Sequence, residues 1–273
     1  LEVLNRREDG YHTMRSVMVP LAFGDELEIE PSEALSFRCS DPSLENDANL
    51  VARALRSLDP ALKATIALNK RVPSQAGLGG GSSDAAALLR AAAGGAFLRT
   101  FNVDWVAVAR SLGSDVPFFL VESAALVEGT GERVTATGSL PPWHVLVVKP
   151  PVASSTAAAY REIDARSRPT RSRSDSVSLQ MLAALQRGDF AGVEALLSND
   201  FHDPIAESLP EVAEAIDALR QAGAHRVLLA GSGSAVFTIA REANDIATIA
   251  DRLSLDERYQ RIVTQFARSD AWQ

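Results

Sequence analysis

The chain has 273 residues, 46% of them apolar and 23% charged, with a net charge of −8. That length suits one large domain or two modest ones, with a core that needs no covalent staple. The negative balance argues against general nucleic-acid binding and against docking on anionic membranes, and the single cysteine, Cys39, excludes an internal disulfide and a cysteine-built zinc cage; Cys39 reads as a small packed or surface residue.

No stretch reaches the ~18 consecutive apolar residues of a membrane helix, and the start carries no leader pattern. A cytoplasmic protein is expected. An anionic ligand would have to be held by local donors, since the global field opposes it. The sequence opens in the strand-like run Leu1-Glu2-Val3-Leu4, without Met, so further residues are expected upstream.

Ser16–Leu21 and Asp25–Glu30 read as strands joined by a Gly24-Asp25 turn. Asn49–Leu58 places Leu50, Val51, Ala54, Leu55 and Leu58 at helical spacing. Ala64–Lys70 alternates as a strand, a glycine-rich loop follows, and Ser83–Ala93 is rich in alanine and leucine, as helices are. Asp104–Leu112 is a helix with Asp104 as N-cap. Val116–Val121, Ala124–Val127 and the buried run His144–Lys149 read as strands, and Leu140-Pro141-Pro142 marks a boundary between domains 1–141 and 142–273. Arg166–Ser178, rich in arginine and serine, is either a solvated mobile loop or a lid or rim for an acidic substrate. Helices over 179–185, 190–197, 210–222 and 243–253 alternate with strands over 227–229, 235–240 and 261–266. The class is α+β, with no repeat of fixed period.

The segment Pro73-Ser74-Gln75-Ala76-Gly77-Leu78-Gly79-Gly80-Gly81-Ser82-Ser83-Asp84 lies between a strand and a helix. Four glycines in five positions clear side chains where a backbone must approach a ligand. Successive N–H groups then form a nest at a positive helix terminus, which suits phosphate. The Lys of a Walker loop is missing, and the acid that a dinucleotide fingerprint wants about 20 residues on fits only loosely at Asp104. A second loop, Ala230-Gly231-Ser232-Gly233-Ser234-Ala235, is by itself a tight turn or bulge, and its pairing with the first loop favours a functional reading. Asp115, in Leu112-Gly113-Ser114-Asp115-Val116-Pro117, is either a turn or cap residue or a carboxylate aimed at a hydroxyl. Asp9-Gly10 signals a turn, after which Tyr11 and His12 are either packing residues or a base-binding pair.

Together these stretches resemble the GHMP small-molecule kinases, over nearly the whole chain. Arg7–His12, Gly77–Ala86, Leu112–Phe119 and Gly231–Ser234 stand in that family's order and spacing. The Asp9–His12 block is similar to the branch acting on a cytidine-diphosphate-linked methylerythritol in non-mevalonate isoprenoid synthesis. It sets the chain apart from the homoserine, mevalonate and galactose branches. The resemblance implies a ribosomal-S5-like N-terminal domain and a ferredoxin-like C-terminal one, and ATP with Mg2+ as cofactors. Pro73, Ser74, Gln75, Ala76, Gly77, Leu78, Gly79, Gly80, Gly81, Ser82 and Ser83 would then wrap the ATP phosphates, and Asn49 would lie near the adenine. Asp115 would be the general base. Tyr11 and His12 would hold the cytosine. Tyr160 would stack on its other face, unless it is a packing residue on a helix, and Gly231, Ser232 and Gly233 would close the site.

The family's catalytic lysine belongs just before the position of Leu1, so it is expected upstream of this sequence. The partner implied is a small molecule, with neither nucleic acid nor membrane, on a monomer or homodimer; the magnesium ligands are not legible. Two rival readings remain: a kinase of another branch, separable by a substrate panel, and a nucleotide-binding protein without activity, separable by assay.

Overall fold

The structure, a computed structural model, describes residues 1–59, 61–97, 101–121, 123–138, 140–166 and 176–267. In chain order the strands and helices are β1 (Glu2–Arg6), β2 (His12–Met18), β3 (Glu26–Pro31), β4 (Ser36–Cys39), α1 (Leu50–Leu58), β5 (Ala64–Asn69), α2 (Gly80–Ala93), α3 (Trp105–Leu112) and α4 (Val116–Phe119). There follow β6 (Ala125–Gly129), β7 (Arg133–Ala136), β8 (His144–Lys149), α5 (Thr156–Asp164), α6 (Val177–Gln186), α7 (Phe190–Leu196) and α8 (His202–Ser208). The last are α9 (Pro210–Gln221), β9 (Leu228–Leu229), β10 (Val236–Ala240), α10 (Ala243–Arg252) and β11 (Gln260–Gln265). Among the described residues no helix is long and apolar enough to cross a membrane.

Contacts divide the chain into two units that are nested along the sequence. Leu1–Phe23, Gln75–Leu78 and Ser123–Gln273 form the first, Gly24–Ser74 and Gly79–Glu122 the second. A sequential boundary near Pro141 does not coincide with this division, because the first strands are tied to later ones. β2 pairs antiparallel with β6, Met14 opposite Gly129 and Met18 opposite Ala125. The carboxylate of Glu2 accepts from the Ser176 hydroxyl at 2.6 Å and the Ser178 N–H at 3.0 Å. Those bonds hold Glu2 below the usual carboxylate range, outweighing a burial that works against its charge.

In the second unit, β5 is the middle strand of a sheet ordered β3-β5-β4, antiparallel to β3 and parallel to β4. Its alternation turns Ala64, Ile66 and Leu68 inward. They meet Val51, Ala54 and Leu55 of α1 and Ala85, Leu88 and Leu89 of α2 in one core, with Cys39 buried in it. Leu88 and Leu89 are fully buried, each worth about 1.5–3 kcal/mol by transfer. Asn49 begins α1 by accepting from the Val51 N–H at 2.9 Å, and Asp104 begins α3 by accepting from Val106 and Ala107, as expected of N-caps.

The first unit holds two antiparallel sheets, β1-β2-β6-β7 and β11-β8-β10-β9. The whole of β8 after His144 is buried because both its faces are covered. Leu146 and Val148 pack with Val212, Ile216 and Leu219 of α9, while Val145 and Val147 pack with Trp143, Met181 and Phe266.

Several expectations are corrected. Val116–Val121 is no strand: Val116–Phe119 makes one helical turn, with Pro117 in its first positions and Asp115 as N-cap. A short buried apolar run has no periodicity to separate the two. Gly24-Asp25 is no hairpin turn, since β2 and β3 belong to different sheets and the Asp25 carboxylate accepts from the N–H groups of Arg71 and Val72. The strands β4 and β7 and the helices α5 and α8 were not anticipated. Of the arginine-rich stretch, residues 167–175 lie outside the described residues; Arg166 pairs with Glu207, and Ser176 caps α6.

Candidate active site

The glycine loop leaves the end of β5 and opens α2. Gly79 is the N-cap at a φ of 70° and offers no side-chain cap. The first helical bond of this turn runs from the Ser83 N–H to the Gly79 carbonyl at 2.9 Å, so the N–H groups of Gly80, Gly81 and Ser82 have no partner within the helix. The Ser83 hydroxyl donates back to the Gly80 carbonyl at 2.7 Å. The half-buried Ser82 hydroxyl has no hydrogen-bond partner among the described residues. Unpaired N–H groups, an open hydroxyl and a positive helix end form a receptor for phosphate oxygens. Beside them, the Leu50 side chain lies near Gly81, which brings the α1 N-terminus to the same mouth. The carboxamide of Asn49 is occupied there by capping: its oxygen takes the Val51 N–H, and its nitrogen donates to the Leu44 carbonyl at 2.9 Å.

Asp115 stands on the other side of this turn. Phe119, one helical turn after it, packs its ring where a Cβ at Gly79 would lie, 2.8 Å from it. The carboxylate is half-buried, and its one hydrogen bond among the described residues comes from the Ser114 hydroxyl at 3.2 Å. Burial raises it above the ordinary aspartate range, with the Ser114 bond opposing. No described cation pairs with it. A half-exposed carboxylate with raised basicity can accept a hydroxyl proton.

A second charged group lies under the loop. Lys70 sends its ammonium between Asp84 of α2, at 2.8 Å, and Asp25, and all three are withdrawn from water. Burial opposes the Lys70 charge, but the two carboxylates hold it above the usual lysine range. Asp84, 5% exposed, is pushed up to about 7 by burial, and the nearby Asp25 charge adds to that, against the pull of Lys70. Asp25 stays below the ordinary range because Lys70 and two backbone N–H groups outweigh its burial. This cluster pins the start of α2 to the end of β5. Sequence reasoning passed over it, although Lys70 is one of three lysines in the chain and Asp84 closes the glycine string.

The remaining predicted residues lie in the first unit. Gln75–Leu78 runs against the second glycine turn: Ser234 and Ala235 donate to the carbonyls of Gln75 and Ala76 at 3.3 and 3.1 Å. A Cβ at Gly77, whose φ is 74°, would lie 2.0 Å from the Ala230 carbonyl oxygen. One at Gly231 would lie 2.8 Å from the Gly77 carbonyl oxygen, so glycines face each other because two backbones touch. The buried Asn199, not foreseen, donates to the carbonyls of Leu229 and Gly231 at 2.8 and 2.7 Å. Ser154 donates to the Ser232 carbonyl, and Thr156 of α5 bonds the Ser232 hydroxyl at 3.0 Å.

Further along α5 lies a contact of His12, which with Tyr11 is the pair expected at a base. Gly10, at a φ of 85°, completes the turn of the β1–β2 hairpin, and the Asp9 carboxylate binds Arg7 and the Tyr11 N–H. Tyr11 emerges 69% exposed, while His12 is 8% exposed. Tyr160 stacks on the His12 ring at 4.7 Å and 13°, so the face it presents in this structure covers the imidazole.

Comparison with known proteins places these features in one family. Residues 49–123 match the N-terminal domain of the GHMP kinases, and 181–256 their C-terminal domain. A 4-diphosphocytidyl-2-C-methyl-D-erythritol kinase of Deinococcus radiodurans is 42% identical over 93% of this chain and 85% of its own. A kinase of that name from Chlorobaculum tepidum is 38% identical over 93% and 90%. A crystal structure of 4-(cytidine 5'-diphospho)-2C-methyl-D-erythritol kinase superposes with a TM-score of 0.79 at 34% identity, covering 97% of this chain and 95% of that one. With its glycine turn at a helix mouth, its family matches and this degree of identity, the chain belongs to the GHMP kinases.

Proposed function

We propose that this chain transfers the γ-phosphate of ATP to the 2-hydroxyl of a cytidine-diphosphate-linked methylerythritol, a step of non-mevalonate isoprenoid synthesis in the cytoplasm. The observation that carries the reading is the pairing of a phosphate receptor with Asp115 across a single packed turn, Phe119 on Gly79. The relatives' names supply the acceptor. The strand order β11-β8-β10-β9, with helices between β8 and β9 and between β10 and β11, supports a ferredoxin-like C-terminal half. We read the N-terminal half as ribosomal-S5-like.

The N–H groups of Gly80, Gly81 and Ser82 bind the phosphate oxygens, and the positive end of α2 offsets their charge. The transferring group passes in line to the acceptor oxygen, whose proton Asp115 takes; positioning and charge stabilisation carry the rate, without a phospho-enzyme. Among the described residues no three acids, histidines or cysteines cluster as a metal cage. Magnesium needs none, since it takes few protein ligands alongside substrate phosphates and water. The open Ser82 hydroxyl suits that role, and the ion would neutralise phosphate charge. Gly231–Gly233, Tyr11, His12 and Tyr160 would serve the cytidine end.

The test is ADP release by the full-length protein with a panel of alcohols. ADP formed with the cytidine-diphosphate-linked methylerythritol alone supports the reading. ADP formed with homoserine or mevalonate instead keeps the family and removes the substrate.

A further inference from the structure

Tyr160 and Asp164 stand one turn apart on α5, so helix geometry projects ring and carboxylate from the same face. Both meet His12. The Tyr160 ring lies flat on the imidazole, and the Asp164 Oδ1 is 2.7 Å from its Nε2. Phe201 supports Tyr160 edge-on at 5.0 Å and 87°. The other Asp164 oxygen faces Arg6 Nη1 at 3.8 Å. A stack and a hydrogen bond at right angles to it leave the imidazole no freedom to turn. His12 Nδ1 makes no hydrogen bond with any described residue.

An ionised carboxylate only accepts hydrogen bonds, so Nε2 must carry the proton in that bond. A neutral imidazole then offers Nδ1 as an acceptor. We propose that Asp164 is a positioning residue for base selection: it fixes the His12 tautomer so that Nδ1 accepts from the exocyclic amine of the substrate's cytosine. Uracil presents a carbonyl oxygen at the same place, and two acceptors repel, so the arrangement selects the cytosine nucleotide. This rests on the assignment of His12 to the cytidine end.

The experiment has two readouts on the full-length protein at mildly alkaline pH. Long-range proton–nitrogen spectra of histidine-labelled protein, with His12 assigned by its loss in His12→Gln, report the tautomer. Nε2 should be the protonated nitrogen in the wild type, and both tautomers should appear in Asp164→Ala. Calorimetry with CDP, UDP and ATP reports selection. Asp164→Ala should weaken CDP binding about ten-fold, the worth of one such hydrogen bond, narrow the preference over UDP and leave ATP affinity unchanged. Asp164→Asn, isosteric but able to hydrogen-bond either way, should fold normally and fall between them. An Nδ1-protonated His12 in the wild type, or unchanged CDP affinity in both variants, overturns the proposal. A wild type with the expected tautomer that does not bind CDP overturns the cytidine assignment beneath it, and the proposal with it.

Discussion

Asp84 and Asp115 are aspartates of the same unit, the first buried and the second half-buried, both raised by burial above their ordinary range, and they differ in company. Asp84 faces the Lys70 ammonium at 2.8 Å, with Asp25 on the other side of it. Asp115 has a serine hydroxyl at 3.2 Å and no cation among the described residues. A carboxylate locked to a buried lysine has its lone pairs committed and serves as a joint. One raised by burial but left half-open has a basic lone pair to give to a substrate. Position in the fold therefore gives the two aspartates different company where residue type does not.

Substitution should break this pair apart. Asp115→Asn keeps the shape and loses the base, so kcat should fall by about 10³-fold with thermal stability unchanged, as steady-state assay and melting would show. Lys70→Met does the opposite. It strands two buried carboxylates, and removing one partner of a buried ion pair costs about 3–5 kcal/mol, measurable by urea unfolding. A catalytic loss without a stability loss in Lys70→Met would reverse the two roles.

Gly77→Ala would test the floor on which the loop rests. Its Cβ would sit 2.0 Å from a backbone oxygen, so it should destabilise by more than Gly10→Ala, which meets nothing within 4 Å and carries only the strain of positive φ, about 1–2 kcal/mol. Chemical melts of the two variants make the comparison.

The pH dependence is spread over several pH units. The Asp84 carboxyl holds its proton to about 7 in the folded protein against 3.8 ordinarily, so between those values the folded state binds more protons than the unfolded one. Stability must then fall as pH rises through that window, and Asp84→Asn should flatten the slope in urea melts taken across it. For Asp115 the raised affinity places the acid limb of kcat/KM above the ordinary aspartate range.

Much of this was legible in the sequence because it rests on local chemistry. Asn49 and Asp104 cap helices whose apolar spacing already marked them, and the glycine string needed only its strand and helix to read as a phosphate turn. What was missed depends on tertiary partners. Asp25 looked like a turn residue because its contacts are forty-five residues or more away, at Lys70, Arg71 and Val72. Val116–Phe119 looked like a strand because burial erased its periodicity. Asp164 and Asn199 carry no motif, and their roles exist only because α5 reaches His12 and α8 begins near the second glycine turn.

The most direct test of Asp115 as the base in γ-phosphate transfer is to follow the label of γ-labelled ATP into the cytidine-diphosphate-linked methylerythritol, with wild-type and Asp115→Asn proteins shown to bind ATP equally. The label should appear in the product with the wild type and slow by about 10³-fold with the variant. Label transfer by Asp115→Asn at nearly the wild-type rate would contradict it.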